Sequence, residues 1–213
     1  LSSNSTLTFS AAGTNITGAG ALNLDADDGI TINNDLITSG ATDINADSDL
    51  DGTGMLTATT INTTNSTLVI TAEDLSFTSL SSGTNATTLN ESNGDGIGLG
   101  GTTVSGGLNI SNTELQNITS TGLNLTTAGD VRVDNISATN SDNVAGTLSI
   151  DATGNVTFIN NASIFNALSV EADDGVVVSR NLTTDTGALS FGSSSDTLDV
   201  DADLSAATLL TIQ

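Results

Sequence analysis

Apolar residues recur in pairs two positions apart along most of this chain, and polar residues fill the spaces between them. From Leu22 to Leu36 the order is Leu-Asn-Leu-Asp-Ala-Asp-Asp-Gly-Ile-Thr-Ile-Asn-Asn-Asp-Leu. From Leu168 to Leu182 it is Leu-Ser-Val-Glu-Ala-Asp-Asp-Gly-Val-Val-Val-Ser-Arg-Asn-Leu. Residues two apart share one face of a strand, because successive side chains point to opposite sides. Asp-Asp-Gly between two such pairs is turn chemistry, since Asp bonds its own backbone and Gly accepts a positive φ. Each copy therefore reads as strand, corner, strand, corner, third short strand. That is one coil of a solenoid.

The same phase returns at Leu22, Thr42, Leu68, Leu89, Leu108, Leu123, Leu148, Leu168, Leu189 and Leu210, a mean step of about 21 residues. Second strands follow at Leu75-Ser-Phe77, Ile97-Gly-Leu99, Val131-Arg-Val133, Val156-Thr-Phe158 and Leu198-Asp-Val200. Residues 47–67, rich in Asp and Thr, break the rhythm and read as a longer coil carrying a bulged loop. No window has helical spacing, and Thr, Ser, Asn and Gly between the apolar positions disfavour helix. A β-sandwich also uses short alternating strands, but it has no reason to repeat Ala-Asp-Asp-Gly at one phase. The pattern predicts an all-β chain, a single parallel β-solenoid domain over residues 1–213 of about 9–10 coils, stacked into a rod roughly 45 Å long.

Composition narrows the function classes. Twenty-five acidic residues stand against two basic ones, Arg132 and Arg180, for a net charge of −23. Nucleic acid and anionic membrane surfaces both require basic residues, so neither is an expected partner. No apolar run is long enough to insert in a bilayer. With no His and no Cys, the usual nucleophile–base pairs are missing, and there is no disulfide frame.

The coil Gly146-Thr-Leu148-Ser-Ile150-Asp-Ala152-Thr-Gly154-Asn-Val156-Thr-Phe158, with its relatives at 22, 123, 168 and 189, resembles the repeats of filamentous haemagglutinin-type exoproteins. The resemblance extends over roughly residues 20–212 and implies a right-handed parallel β-helix with about three short strands per coil. It further implies a rod-like surface adhesin, often secreted by the two-partner route. This chain departs from the family in lacking a recognisable N-terminal secretion domain and in its irregular stretch at 47–67.

Candidate chemistry is sparse. Asp47-Ser-Asp49-Leu-Asp51-Gly52 places acids at positions 1, 3 and 5 and Gly at 6, as at the start of a looped Ca²⁺ site. The twelfth position, which should supply a bidentate Glu, is Ala58, so a Glu or Asp from a neighbouring coil would have to complete it. The competing reading is a plain acidic loop. Asn93-Gly-Asp-Gly-Ile-Gly-Leu-Gly-Gly101 resembles one calcium-binding nonapeptide but occurs once, and reads better as a Gly-rich corner. Asp199-Val-Asp201-Ala-Asp203 reads as the outward face of a strand.

Asn-x-Ser/Thr occurs thirteen times, at Asn4, Asn15, Asn62, Asn65, Asn85, Asn90, Asn109, Asn117, Asn124, Asn135, Asn155, Asn161 and Asn181. Composition alone would give about half as many. The excess fits an N-glycosylated surface. It fits equally well an outward–inward–outward strand register, which writes Asn-apolar-Thr by itself.

Neither end shows a polar or helical cap against edge pairing. The expectation is an extracellular structural or adhesive rod at a cell surface, without catalysis. It would be a segment of a longer rod or a subunit associating end to end, with outward Thr, Ser, Asn and Asp ladders meeting glycans or neighbouring surfaces. A polysaccharide lyase or hydrolase would need an aromatic-lined groove, and aromatics are 2% of the chain. A Ca²⁺-dependent surface binding module stands or falls with residues 47–52.

Overall fold

The computed structural model describes residues 1–10, 15–18, 20–192 and 197–213. It is a parallel β-solenoid of about ten coils, with the strands stacked on three faces. The first face is a ten-stranded parallel sheet: Ser2–Ser3, Leu22–Ala26, Thr42–Asn45, Leu68–Ala72, Ala86–Glu91, Gly122–Thr127, Thr147–Ala152, Ala167–Ala172, Leu189–Gly192 and Leu210–Ile212. Nine spacings of about 4.8 Å make it about 43 Å tall. The second face begins with Leu7–Phe9 and ends with Leu198–Val200. The third runs from Ile16–Gly18 to Leu204–Ala206. Three long strands, Ile30–Thr38, Leu56–Asn62 and Leu75–Ser81, serve both of these faces in turn.

Alternation fills the interior with columns one residue wide. Leu24, Ile44, Ile70, Leu89, Leu125, Ile150, Val170, Phe191 and Ile212 are paired in direct register up the first face. All but the last are at most 2% exposed. Each such aliphatic side chain contributes about 1.5–3 kcal/mol by leaving water, which outweighs the ordering of a Thr- and Gly-rich backbone only because the columns are continuous.

The corners explain the turn residues. Gly29 and Gly175, equivalent glycines of the two Asp-Asp-Gly copies, have φ of +110° and +122°. A Cβ on either would lie 2.8 Å or 2.9 Å from the carbonyl oxygen of Met55 or Thr197 in the next coil. Only glycine suits both demands. At the corner leading back to the first face, a buried hydroxyl closes the turn three residues on. Thr63 donates to the Ser66 carbonyl, Ser82 to that of Asn85 and Thr184 to that of Gly187.

Three local readings are corrected. Leu108 does not head a coil, because Leu108–Ser111 lies on the second face, with Leu108 opposite Ile97 and Ile110 opposite Leu99. One coil therefore spans 36 residues between Thr87 and Leu123, which are paired directly. Nor does Leu89 head a coil: it pairs with Ile70, and buried Thr87 takes the position opposite Leu68. Within 47–67, residues Leu56–Asn62 form a strand paired on both sides, and the irregular parts of this 26-residue, loop-bearing coil are the loop before the strand and the corner 63–67, where Thr64 and Asn65 take a left-handed φ.

The long coil also carries the first of two short helices, α1 (Asn112–Gln116), with α2 (Ala138–Ser141) stacked against it one coil on. Ser111 caps α1, and Glu114 returns the bond to the Ser111 N–H. Among the described residues, no helix is long and apolar enough to cross a membrane.

Candidate functional site

The corner between the first and second faces gathers the acids of successive coils. Asp27 and Asp28, the 47–52 loop, Glu73 and Asp74, Asp95, Asp130, and Asp173 and Asp174 all follow first-face strands. Within the loop, ligand oxygens of Asp47, Asp49 and Asp51 lie within 4.8 Å of one another. The loop is wound on Asp47, which is fully buried. Its Oδ1 accepts the Asp51 N–H at 3.2 Å, and its Oδ2 accepts the Gly52 N–H at 3.2 Å and the Ser92 hydroxyl at 2.5 Å. Leu50, at φ +59° and 58% exposed, and Gly52, at φ +79°, complete the tight winding.

Asp49 and Asp51 remain on the surface. Ala58 lies inside a strand and offers no ligand. The carboxylate that arrives from the adjoining coil is Glu73, whose N–H donates to the Gly54 carbonyl. Loss of solvation, then the charges of Asp74, Asp47, Asp95 and Asp51, raise the Glu73 carboxyl above its ordinary value. Asp49 is raised as well, by desolvation and by Asp51, Asp27 and Asp47. Asp49 and Asp51 are hard oxygen donors of the kind a divalent cation takes, whereas Asp47 is already committed to three hydrogen bonds within the protein, and Glu73 lies outside the group of three.

Two carboxylates that pattern reading missed do structural work beside this corner. Glu91 is 7% exposed and sits where other coils place Ala26, Ala46, Ala72, Ala152 and Ala172. It accepts the N–H groups of Asn93, Gly94 and Asp95 and, at 2.7 Å, the hydroxyl of Thr127 in the next coil. Of the Asn93–Gly101 stretch, only residues 93–96 form a Gly-rich corner, folded around the buried Glu91 side chain, while Ile97–Gly100 is a buried strand of the second face. Asp74 parts two neighbouring strands: its Oδ1 accepts both the Leu75 N–H and the Asn109 N–H, at 2.9 Å each. The legible signal for Glu91 was a Glu at an alanine phase, and for α1 it was Ser111-x-x-Glu114.

The two arginines are apart. Arg180 donates to the carbonyls of Asn160 and Ser179. Arg132 points outward into an open cleft lined by Asp95, Asp130, Thr103, Val104 and Ser105. Asp199, Asp201 and Asp203 are exposed.

Six sequons, at Asn109, Asn117, Asn124, Asn135, Asn155 and Asn181, have a buried apolar residue in the middle, the signature of strand and corner alternation. Several amides are already bound: Asn109 donates to the Val104 and Gly107 carbonyls, Asn161 to Asp134, Asn85 to the Asn65 carbonyl, Asn90 to Thr71 and Asn124 to Thr88. Asn4, Asn15, Asn65, Asn135 and Asn181 are exposed, and Asn62 is half-buried.

On the outer side of the first face, Thr88, Asn124, Thr126, Ser149, Asp151 and Glu171 line a shallow groove of hydroxyls, amides and carboxylates. No family model matches this chain, and comparison with curated proteins and with solved structures found no match.

Proposed function

We propose that this chain is part of an extracellular structural or adhesive rod acting without catalysis. The observation that carries the reading is the single stack of about ten parallel coils around one continuous apolar interior, a quasi-one-dimensional body whose sides present long, regular surfaces. Along the sides, the first face offers rows of hydroxyl, amide and carboxylate groups suited to sugar hydroxyls, and this is the adhesive part of the reading.

The test is electron microscopy of the native material, with intact mass and surface labelling of intact cells on the same preparation. Rods at the cell surface whose length grows in whole coils support the proposal. Intracellular, short particles of bare mass 21.2 kDa would sink it.

A further inference from the structure

Asn93 and Gly94 form the one Asn-Gly pair in the chain. Such a pair carries a reaction of its own, in which the glycine backbone nitrogen attacks the carbonyl carbon of the Asn side chain. The new N–C bond closes a five-membered succinimide. The Gly94 proton passes to solvent, the Asn93 amide nitrogen leaves as ammonia, and one water opens the ring to Asp or to its β-linked isomer. Glycine suits the second position because no Cβ shields its nitrogen. The attack has one requirement: that nitrogen must give up its proton and be free to reach the side chain.

The fold engages both reacting groups. Gly94 donates its N–H to the two oxygens of Glu91, at 2.9 Å and 2.8 Å. The same buried carboxylate accepts the N–H groups of Asn93 and Asp95, at 2.9 Å and 3.2 Å. A charge-assisted hydrogen bond keeps the proton on its nitrogen, and a negative nitrogen beside a carboxylate is disfavoured further by like charge. The Asn93 side chain is held as well. Its amide donates to Asp95 Oδ2 and to the Gly106 carbonyl at 3.2 Å each, and its oxygen accepts the Asp95 N–H at 3.1 Å.

We propose that Asn93 is a latent modification site, in which Glu91 is the clasp that keeps the Asn-Gly pair from closing on itself. Its place in the fold sets what the reaction does once the clasp opens. Gly52 of the acidic loop lies so close that a Cβ on it would stand 2.5 Å from the Asn93 amide nitrogen, and Gly106 belongs to the 101–107 loop. Conversion to Asp removes both donated bonds and sets a new carboxylate between Gly52 and Asp95, in a corner already crowded with acids. The β-linked product also lengthens the main chain between Ala86–Glu91 and Ile97–Gly100, strands of two different faces. The change is one-way, and it loosens three neighbouring turns at once.

The test is peptide mapping by mass spectrometry of the folded chain held in warm, mildly alkaline buffer, beside a free peptide of residues 90–97. The peptide is expected to convert while the folded chain keeps Asn93 intact. Glu91→Gln should speed conversion at Asn93 by about tenfold or more, with hydrogen exchange at the Gly94 amide rising in step. Phe158→Ala weakens the interior of another coil without touching the clasp, and it should leave the Asn93 rate unchanged. That comparison separates the clasp from a general loss of stability.

Conversion in the folded wild-type chain as fast as in the peptide overturns the proposal, because nothing then guards the pair. Slower conversion in Glu91→Gln also overturns it, since that is the mark of a base that assists the attack. A rate that follows melting midpoint through both variants shows a reaction of the unfolded chain and overturns the clasp. Should Glu91→Gln fail to fold, hydrogen exchange on the wild-type chain still decides: a Gly94 amide as unprotected as those of the exposed corners ends the proposal.

Discussion

Residues 147–184 and residues 86–127 close the same cylinder by different means. In the first region Leu148 and Leu168 are opposed after 20 residues, and each face adds one strand per coil. The interior there is Leu, Ile, Val, Ala and three large rings, Phe158, Phe165 and, just beyond, Phe191, with the buried polar Ser163, Asn166 and Thr184 confined to the third face and its corner. In the second region one coil takes 36 residues, doubles its strand on the second face and adds α1. Its alanine column is interrupted by Glu91 and Thr127, bound to each other. Apolar columns need only shape, and tolerate any outer sequence. The irregular coil needs named polar partners, so its geometry rests on a few hydrogen bonds.

That contrast predicts where substitutions hurt and how they combine. The largest expected loss lies in the regular region: Phe158→Ala should cost about 3–5 kcal/mol, read from denaturant midpoints, because nothing can collapse into a column wedged between Val133 and Val178. A loss below about 1 kcal/mol would mean that the columns are plastic.

Next comes Glu91→Ala, expected to cost about 2–3 kcal/mol, since three backbone N–H groups and the Thr127 hydroxyl lose their acceptor. Adding Thr127→Ala should return about 0.5–1 kcal/mol by restoring an alanine pair, and strict additivity in the double-mutant cycle would show that the two do not act as a unit. Asp74→Ala should cost about 1–2 kcal/mol, with hydrogen exchange speeding up at Leu75 and Asn109 alone.

The smallest effect has the opposite sign. Glu73 and Asp49 have raised carboxyl pKa values, so the folded state binds their protons more tightly than the unfolded chain does. Their charges therefore oppose folding at neutral pH, and this cost is relieved as pH falls through the raised range. Glu73→Gln should stabilise the protein by no more than about 0.5 kcal/mol near pH 7, and its advantage should fade toward about pH 4. An advantage that grows on acidification would overturn this account of the acidic corner.

The regular region was legible in the chain because its inward strand positions on the first and second faces are apolar. Leu148, Leu168 and Leu189 announce the phase, and Gly29 and Gly175 mark equivalent corners with the left-handed φ they take. Leu108-Asn-Ile110 misled for a physical reason: alternation shows which side of a strand is inward but not which of three faces the strand joins. Thr87 hid a column position behind a hydroxyl that bonds Ser82 inside the corner, whereas Thr42, which bonds Thr38 in the same way, was placed by the Ile44 and Ala46 that follow it. The acidic loop was visible as spacing, and the structure does bring Asp47, Asp49 and Asp51 together. That Asp47 would be the post of its own loop was not visible, because Ser92 lies 45 residues away in sequence.

The doubled strand of the long coil has a consequence for the whole molecule. Between Leu75–Ser81 and Val131–Asp134 the second face holds two strands, Ile97–Gly100 and Leu108–Ser111, while the first face holds one, Ala86–Glu91, between Leu68–Ala72 and Gly122–Thr127. A stack with an extra layer on one flank behaves like masonry with a wedge-shaped stone. Its axis is expected to turn away from the thickened side, by up to one strand spacing of about 4.8 Å across the width of the coil. Set at one height of the stack, such a turn is expected to tilt the coils before residue 97 against those after residue 117.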